Sequence, residues 1–328
     1  MEELGLELAG VTERAARAVM PYSGKGDKDS ADELAVEAMR DALNQLDRRF
    51  HVVLGEGGKD DAPMLYSGEV LGRRKEQGPD SESYDLIVDP LECTTNFARG
   101  LPDSMSVLLA APAGSVQAVP GTYMEQLLVP GEAAHLLDGD IGLDTPVAEA
   151  LPRIAKAMGN EVSEMCVVVQ DRPRHKDLIA AIRATGAGVS LIDSGSISSA
   201  FRVILGRSRR THMLWGTFGA PEGVVLAFMA REAGSGFLGR VRPHDEATTA
   251  ETRELGLENK TLRETDLVRS GGVIVLSGIH SSSLLRGVEL VSRGGRRVHR
   301  VYTVLWTGDR QKLLVHEDGE LTRRERFG

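Results

Sequence analysis

Two carboxylates and two hydroxyls follow an apolar run in Asp85-Leu86-Ile87-Val88-Asp89-Pro90-Leu91-Glu92-Cys93-Thr94-Thr95, an order suited to metal-assisted hydrolysis of a phosphate ester. Hard divalent cations prefer oxygen ligands, and Asp89 and Glu92, on either side of a tight turn, can hold one ion or bridge two. Thr94, two residues past Glu92, can hold an attacking water. The plainer alternative is a strand end followed by a helix cap, with Asp or Thr capping and no metal. A second acidic, glycine-rich stretch, Gly55-Glu56-Gly57-Gly58-Lys59-Asp60-Asp61, repeats the design. Further along, Arg172 and Arg174 in Asp171-Arg172-Pro173-Arg174-His175 offer two guanidinium forks for a phosphate.

These groups need rigid elements behind them. Asp85 to Val88 reads as a short buried strand that stops and turns at Pro90, which cannot donate to a sheet ladder. His51 to Leu54 reads as another strand, running into the second acidic stretch. Leu4, Leu8, Val11, Ala15 and Val19 recur at helical spacing, and a second helix reads from about Ala31 to Leu46, after a polar loop at Gly24 to Asp29. Met105 to Ala111 and Gln126 to Val129 read as strands. From about Pro146 the chain alternates: helix 147–158, strand 165–170, helix 175–184, strand 188–192, helix 196–205, strand 211–215, helix 221–233. Such alternation implies mainly parallel strands with helices on both faces, and ligands at the carboxyl ends of the strands. Three loops stand there: 171–175, Ser194-Gly195-Ser196, and Gly216 to Gly223. The fold class is therefore mixed α/β, with an N-terminal α+β subdomain at 1–145 carrying most of the acids and a C-terminal α/β subdomain at 146–328. The charged segment from about Arg242 to Arg263 reads as a solvated helix or loop.

A chain of 328 residues supports a sizeable core, and a net charge of −9 argues against a nucleic-acid partner. Two cysteines, Cys93 and Cys166, fit a reducing compartment and exclude a disulfide scaffold or a cysteine zinc site. The N-terminus lacks the basic-then-apolar order of a signal peptide, and no apolar run reaches membrane-spanning length, so a cytoplasmic protein is expected.

Assembled in order, seven blocks resemble the class II fructose-1,6-bisphosphatases of the lithium-sensitive, inositol-monophosphatase-like superfamily. They are Gly26-Asp27-Lys28-Asp29-Ser30-Ala31-Asp32, Gly55-Glu56-Gly57, Asp60-Asp61-Ala62-Pro63-Met64-Leu65-Tyr66, Asp89-Pro90-Leu91-Glu92, Tyr123-Met124-Glu125, Arg172-Pro173-Arg174-His175 and Gly219-Ala220-Pro221-Glu222-Gly223. The resemblance implies a layered α-β-α-β-α sandwich, two or three Mg2+ or Mn2+ ions, a phosphorylated sugar or related phosphate ester as substrate, and a homodimer or homotetramer. It implies Asp32, Glu56, Asp89, Glu92 and Glu222 as metal ligands. Thr94 would stand beside the nucleophilic water, polarised by Asp32 or by an acid of the Asp60-Asp61 pair. The implied substrate contacts are Glu92, Cys93, Thr94, Tyr123, Arg172, Pro173, Arg174, Ser194, Gly195, Ser196 and Gly219. Taken alone, Asp32 and Glu222 also read as helix-start acids, and Tyr123 as a core-edge residue. For His175, His212, His244 and His280 a structural role is expected.

The chain departs from that family pattern around the substrate. It has Cys93 and Phe218 where the family has Gly, Gly58 where it has a second acid, and Ser194-Gly195-Ser196 where it has Asp-Gly-Asp. Losing acceptors of sugar hydroxyls disfavours the original sugar, while Phe218 adds a ring that can stack on a ligand or occlude space. Hydrolysis with specificity shifted towards another sugar, cyclitol or nucleoside phosphate is the resulting expectation. An ordinary gluconeogenic fructose-1,6-bisphosphatase and a non-catalytic sugar-phosphate-binding protein are the alternatives.

Overall fold

The structure, a computed structural model, describes residues 1–55, 65–78, 82–206, 211–308 and 310–327. Its packing separates Met1–Val116 with Ser270–Gly328 from Gln117–Arg269, and each unit has its own mixed sheet. The chain is thus a mixed α/β protein, as its patterning requires.

The first unit opens with helices α1 (Glu2–Ala18) and α2 (Lys28–Asn44), followed by strands β1 (Arg49–Leu54), β2 (Val70–Leu71) and β3 (Ser83–Glu92). A short helix α3 (Thr94–Ala98) and strand β4 (Met105–Pro112) complete its N-terminal part. The apolar stripe of α1 (Leu4, Leu8, Val11, Ala15) and that of α2 (Val36, Met39, Leu43) bury against Val88, Leu108, Val275 and Leu305 on one face of the sheet. The second helix starts before Ala31 because Asp27 caps it, accepting from the Ser30 amide at 3.1 Å.

The second unit contains β5 (Tyr123–Val129), α4 (Gly131–Ala134), α5 (Val147–Ala157), β6 (Cys166–Gln170), α6 (Lys176–Ala184), β7 (Gly188–Ile192), α7 (Ile197–Ile204) and β8 (Met213–Gly219). It continues through α8 (Ala220–Ala233), β9 (Gly236–Arg242), α9 (Glu246–Glu254), β10 (Leu262–Arg263) and α10 (Glu264–Leu267). Leu127 and Val129 of β5 face α5 and α6, whereas Met124 and Gln126, of opposite parity, face α8. The chain then returns to the first sheet with β11 (Val273–Gly278), β12 (Glu289–Arg293), β13 (Arg296–Thr307), β14 (Arg310–Glu317) and β15 (Glu320–Arg326). No described helix is long and apolar enough to cross a membrane.

Three expectations differ from what is observed. The strand from Asp85 does not stop at Pro90: β3 runs to Glu92, and a bulge between Asp89 and Glu92 absorbs the proline where β4 pairs with it. The second sheet, ordered β10-β9-β5-β8-β6-β7, is mixed rather than mainly parallel. Strands β6, β7 and β8 are parallel as the alternation requires, but β5, which precedes the alternating stretch, inserts antiparallel between β8 and β9. Because β5 belongs to that sheet and β11 pairs with β4, packing divides the chain at 116/117 and 269/270, not at 145/146.

Candidate active-site residues

In the first unit, β1 and β3 are parallel, so their carboxyl ends lie at the same edge of the sheet. Asp89 and Glu92 flank the bulge at the end of β3, Asp89 half-buried and Glu92 only 5% exposed. A carboxylate buried that deeply needs compensation, and Glu92 Oε2 accepts a long bond, 3.2 Å, from the Cys93 amide. Glu56, Asp60 and Asp61 lie outside the described residues. Cys93, buried, turns the chain into α3 in the left-handed conformation at φ 67°, ψ 40°, where glycine is at ease and other residues are strained. Neither Cys93 nor Thr94 caps α3 with its side chain, so the plain strand-then-cap alternative has no support in the geometry.

Asp32 stands a turn inside α2, because Asp27 is its cap; the helix-start alternative for Asp32 therefore fails. Burial lifts the Asp32 carboxyl to about 6, against the opposing pull of a hydrogen bond from Thr94, while Asp29 adds to the rise. The Thr94 hydroxyl has one proton for two acceptors, the Asp32 carboxylate and the Leu91 carbonyl 3.0 Å away. Asp32 Oδ1 is buried with no hydrogen-bond partner among the described residues. An orphaned carboxylate oxygen beside Thr94 and the end of β3 fits a cation. No group of three or more His, Cys, Asp or Glu side chains among the described residues is by itself placed to hold a metal ion.

In the second unit, topology gathers the other expected residues at one edge of the sheet. The carboxyl ends of β6, β7 and β8 carry Arg172 to Arg174, Ser194 to Ser196 and Gly219 respectively, and β5, running the other way, begins there with Tyr123 opposite Gly219. Tyr123 is 41% exposed, not a core-edge residue, and the Arg174 guanidinium lies 4.6 Å from its ring centre. Arg174 also donates to the Thr217 carbonyl through Nε and Nη2, at 3.1 and 2.9 Å, and to Gln170 Oε1 at 2.6 Å. Arg172 donates to the Asp171 carbonyl, and Pro173 opens the single turn that carries both arginines. Gly195 has φ 67°, Ser194 is half-buried, and Ser196 is buried at the head of α7. Glu222 lies in the first turn of α8, and its carboxylate folds back over Gly219: a Cβ there would stand 1.9 Å from Glu222 Oε2.

Phe218 neither stacks on a ligand nor occludes open space, since it is 3% exposed with its ring 6.0 Å from that of His175. His212 accepts from the Cys166 amide, and His280 bridges Ser23 and the Leu101 carbonyl over the Phe97 ring. His244 contacts Thr122 and the edge of Tyr123. A residue missed from the sequence is Gln126, fully buried, whose amide donates to the Gly219 carbonyl at 2.9 Å. A long polar side chain at a core-facing strand position was the available signal.

A family model described as bacterial fructose-1,6-bisphosphatase, glpX-encoded, matches residues 2–312. The chain is 38% identical over 318 residues to the D-fructose 1,6-bisphosphatase class 2/sedoheptulose 1,7-bisphosphatase of Synechococcus sp. (strain JA-2-3B'a(2-13)), covering 90% of each chain. It is 36% identical over 317 residues to the protein of that description in Crocosphaera subtropica (strain ATCC 51142 / BH68), covering 89% of this chain and 90% of the relative. With the one from Trichodesmium erythraeum (strain IMS101) it shares 35% identity over 341 residues, covering 97% of each.

Proposed function

Because the chain belongs to the family of the glpX-encoded bacterial fructose-1,6-bisphosphatases, and is thus a phosphoric monoester hydrolase of the sugar-bisphosphatase type, we propose that it cleaves its ester by attack of water assisted by Mg2+ or Mn2+. Asp32, Asp89 and Glu92 are the proposed metal acids of the first unit, and Glu222, taken by itself, that of the second; Glu56 lies outside the described residues. Bound ions would supply positive charge to the phosphoryl oxygens and acidify a water. Thr94 orients that water: with its own proton given to the Leu91 carbonyl or to Asp32, the hydroxyl oxygen accepts from the water. Asp60 is the alternative partner for Thr94. Arg172 and Arg174 bind the sugar phosphate, and Tyr123 offers it an exposed ring. The observation that carries the metal reading is the buried, orphaned Asp32 Oδ1. Asp89→Asn and Glu92→Gln are expected to abolish phosphate release while leaving far-UV circular dichroism unchanged; near-normal release by either would sink the assignment.

For the sugar itself, Ser194 and Ser196 support a specificity displaced from fructose 1,6-bisphosphate, since two hydroxyls replace two carboxylate acceptors and one of them is buried. The ordinary bisphosphatase reading is favoured by the near-complete family match. Phosphate release from fructose 1,6-bisphosphate, sedoheptulose 1,7-bisphosphate, sugar and inositol monophosphates and nucleotides, each with Mg2+ and Mn2+, decides between them. A higher kcat/KM on another ester is the expected profile; the best value on fructose 1,6-bisphosphate restores the ordinary reading. Binding without turnover at saturating Mn2+ would overturn both. A homodimer or homotetramer in the cytoplasm completes the proposal, and light scattering tests the assembly.

A further inference from the structure

His175 is only 2% exposed, and both of its ring nitrogens are committed. Nδ1 lies 2.7 Å from the Gln170 carbonyl, and Nε2 lies 2.8 Å from the Thr217 amide nitrogen. A carbonyl can only accept and an amide N–H can only donate, so the ring carries its proton on Nδ1 and presents a lone pair at Nε2. The imidazole is therefore held in one neutral tautomer. It joins the end of β6, where the arginine turn begins, to the backbone of β8. The same two residues it grips, Gln170 and Thr217, are those that anchor Arg174, through Gln170 Oε1 and the Thr217 carbonyl.

The socket around the ring is built for it. Phe218 packs against it at 6.0 Å between ring centres, and Gly216 makes room: a Cβ there would stand 3.1 Å from His175 Nε2 and 3.2 Å from the Phe218 ring. Gly216 has φ 153°, a backbone conformation that side-chain-bearing residues rarely adopt, so the glycine is needed for its dihedral angle as well as for space. Burial holds the His175 pKa below its ordinary value, and Arg174 and Arg172 press it the same way, in keeping with a ring that stays neutral.

We infer that His175 is a positioning residue: through Gln170 and Thr217 its neutral ring holds the arginine turn so that the Arg174 guanidinium stays over Tyr123, ready to meet the phosphate of the substrate. It touches no reacting atom, so its effect is on phosphate affinity and not on the hydrolytic step. This inference rests on the proposed role of Arg174 in phosphate binding.

The test is steady-state kinetics of the full chain with Mn2+, together with inhibition by inorganic phosphate. Arg174→Gln first tests the underlying reading; an unchanged KM would remove it. His175→Phe keeps the ring and loses both hydrogen bonds, and should raise KM and the inhibition constant of phosphate roughly tenfold with kcat within about threefold. His175→Gln, which can still accept from the Thr217 amide, should recover part of the loss, whereas His175→Asn, which reaches only towards Gln170, should not. The double variant R174Q/H175F should match R174Q alone, because His175 acts through Arg174. An Arg174 effect without any His175 effect on KM, or independent additive effects, would overturn the inference while leaving the role of Arg174 standing. Should His175→Phe fail to fold, the contrast between the Gln and Asn variants decides the matter: equal KM values for the two refute the positioning role.

Discussion

At the scale of single residues, the two positions with most to say are Cys93 and His316. Cys93 sits between a proposed ligand, Glu92, and Thr94, in a left-handed conformation that costs a side-chain-bearing residue about 1–2 kcal/mol. Replacing it by glycine relieves that strain but loses the burial of the thiol, so Cys93→Gly should unfold within about 1 kcal/mol of the parent in urea. Cys93→Val, β-branched in the same conformation, should fall about 2 kcal/mol below it. His316 lies buried on β14, its Nδ1 without a hydrogen-bond partner among the described residues, and burial together with the Arg17 charge depresses its pKa to about 4. Its folded value is below the ordinary 6.5 of the unfolded chain, so the unfolded state binds more protons between the two. The stability from keeping His316 neutral is complete above about pH 6.5 and is lost as pH falls towards 4, an effect on the order of 3 kcal/mol. Across that window the melting temperature of the parent should fall relative to that of His316→Leu, which has no titrating group at the site; a difference between the two that does not change with pH would clear His316.

At the scale of elements, local chemistry explains the starts and bends that matter for the site. Asp27 caps α2 and so places Asp32 one turn in; the bulge in β3 lets a proline sit inside a paired strand between Asp89 and Glu92. The head of α8 depends on Gly219, whose missing Cβ leaves space for the Glu222 carboxylate. Gly219→Ala should push that flexible carboxylate aside without unfolding the helix. If Glu222 is a metal ligand, the Mn2+ concentration for half-maximal activity should rise about tenfold, with the melting temperature changed by no more than about 2 °C. An unchanged Mn2+ requirement would return Glu222 to the role of a helix-start acid. Most of these elements were legible in the sequence: the stripe of α1, the strand at Asp85, and the alternation from 147 to 233 all reflect near-neighbour spacing. The extension of β3 past Pro90 was not, because the pairing of Glu92 with Met105 overrides the local stop signal.

At the scale of the whole molecule, the chain leaves its first sheet after β4, builds a second unit, and returns to place β11 beside β4. The second unit, Gln117–Arg269, is contiguous and has its own sheet and core, so expressed alone it should give a dispersed amide spectrum and a cooperative melt. The fragment 1–116, lacking β11, leaves the edge of β4 bare and should aggregate or stay unfolded, as sedimentation would show. Residue types in order are a property of the sequence itself: Asp89, Glu92 and Thr94 at a strand end, two arginines around a proline, apolar stripes at helical spacing. From these the mixed α/β class follows, because caps and spacings are local, whereas the phosphatase chemistry was legible only through the seven ordered blocks that resemble the class II fructose-1,6-bisphosphatases. Only the tertiary structure decided that β5 enters between β8 and β9 and carries Tyr123 to Arg174, that Phe218 turns inward onto His175, and that the last five strands belong to the first sheet. Those outcomes depend on which distant faces and edges match, and no window of neighbouring residues contains that information.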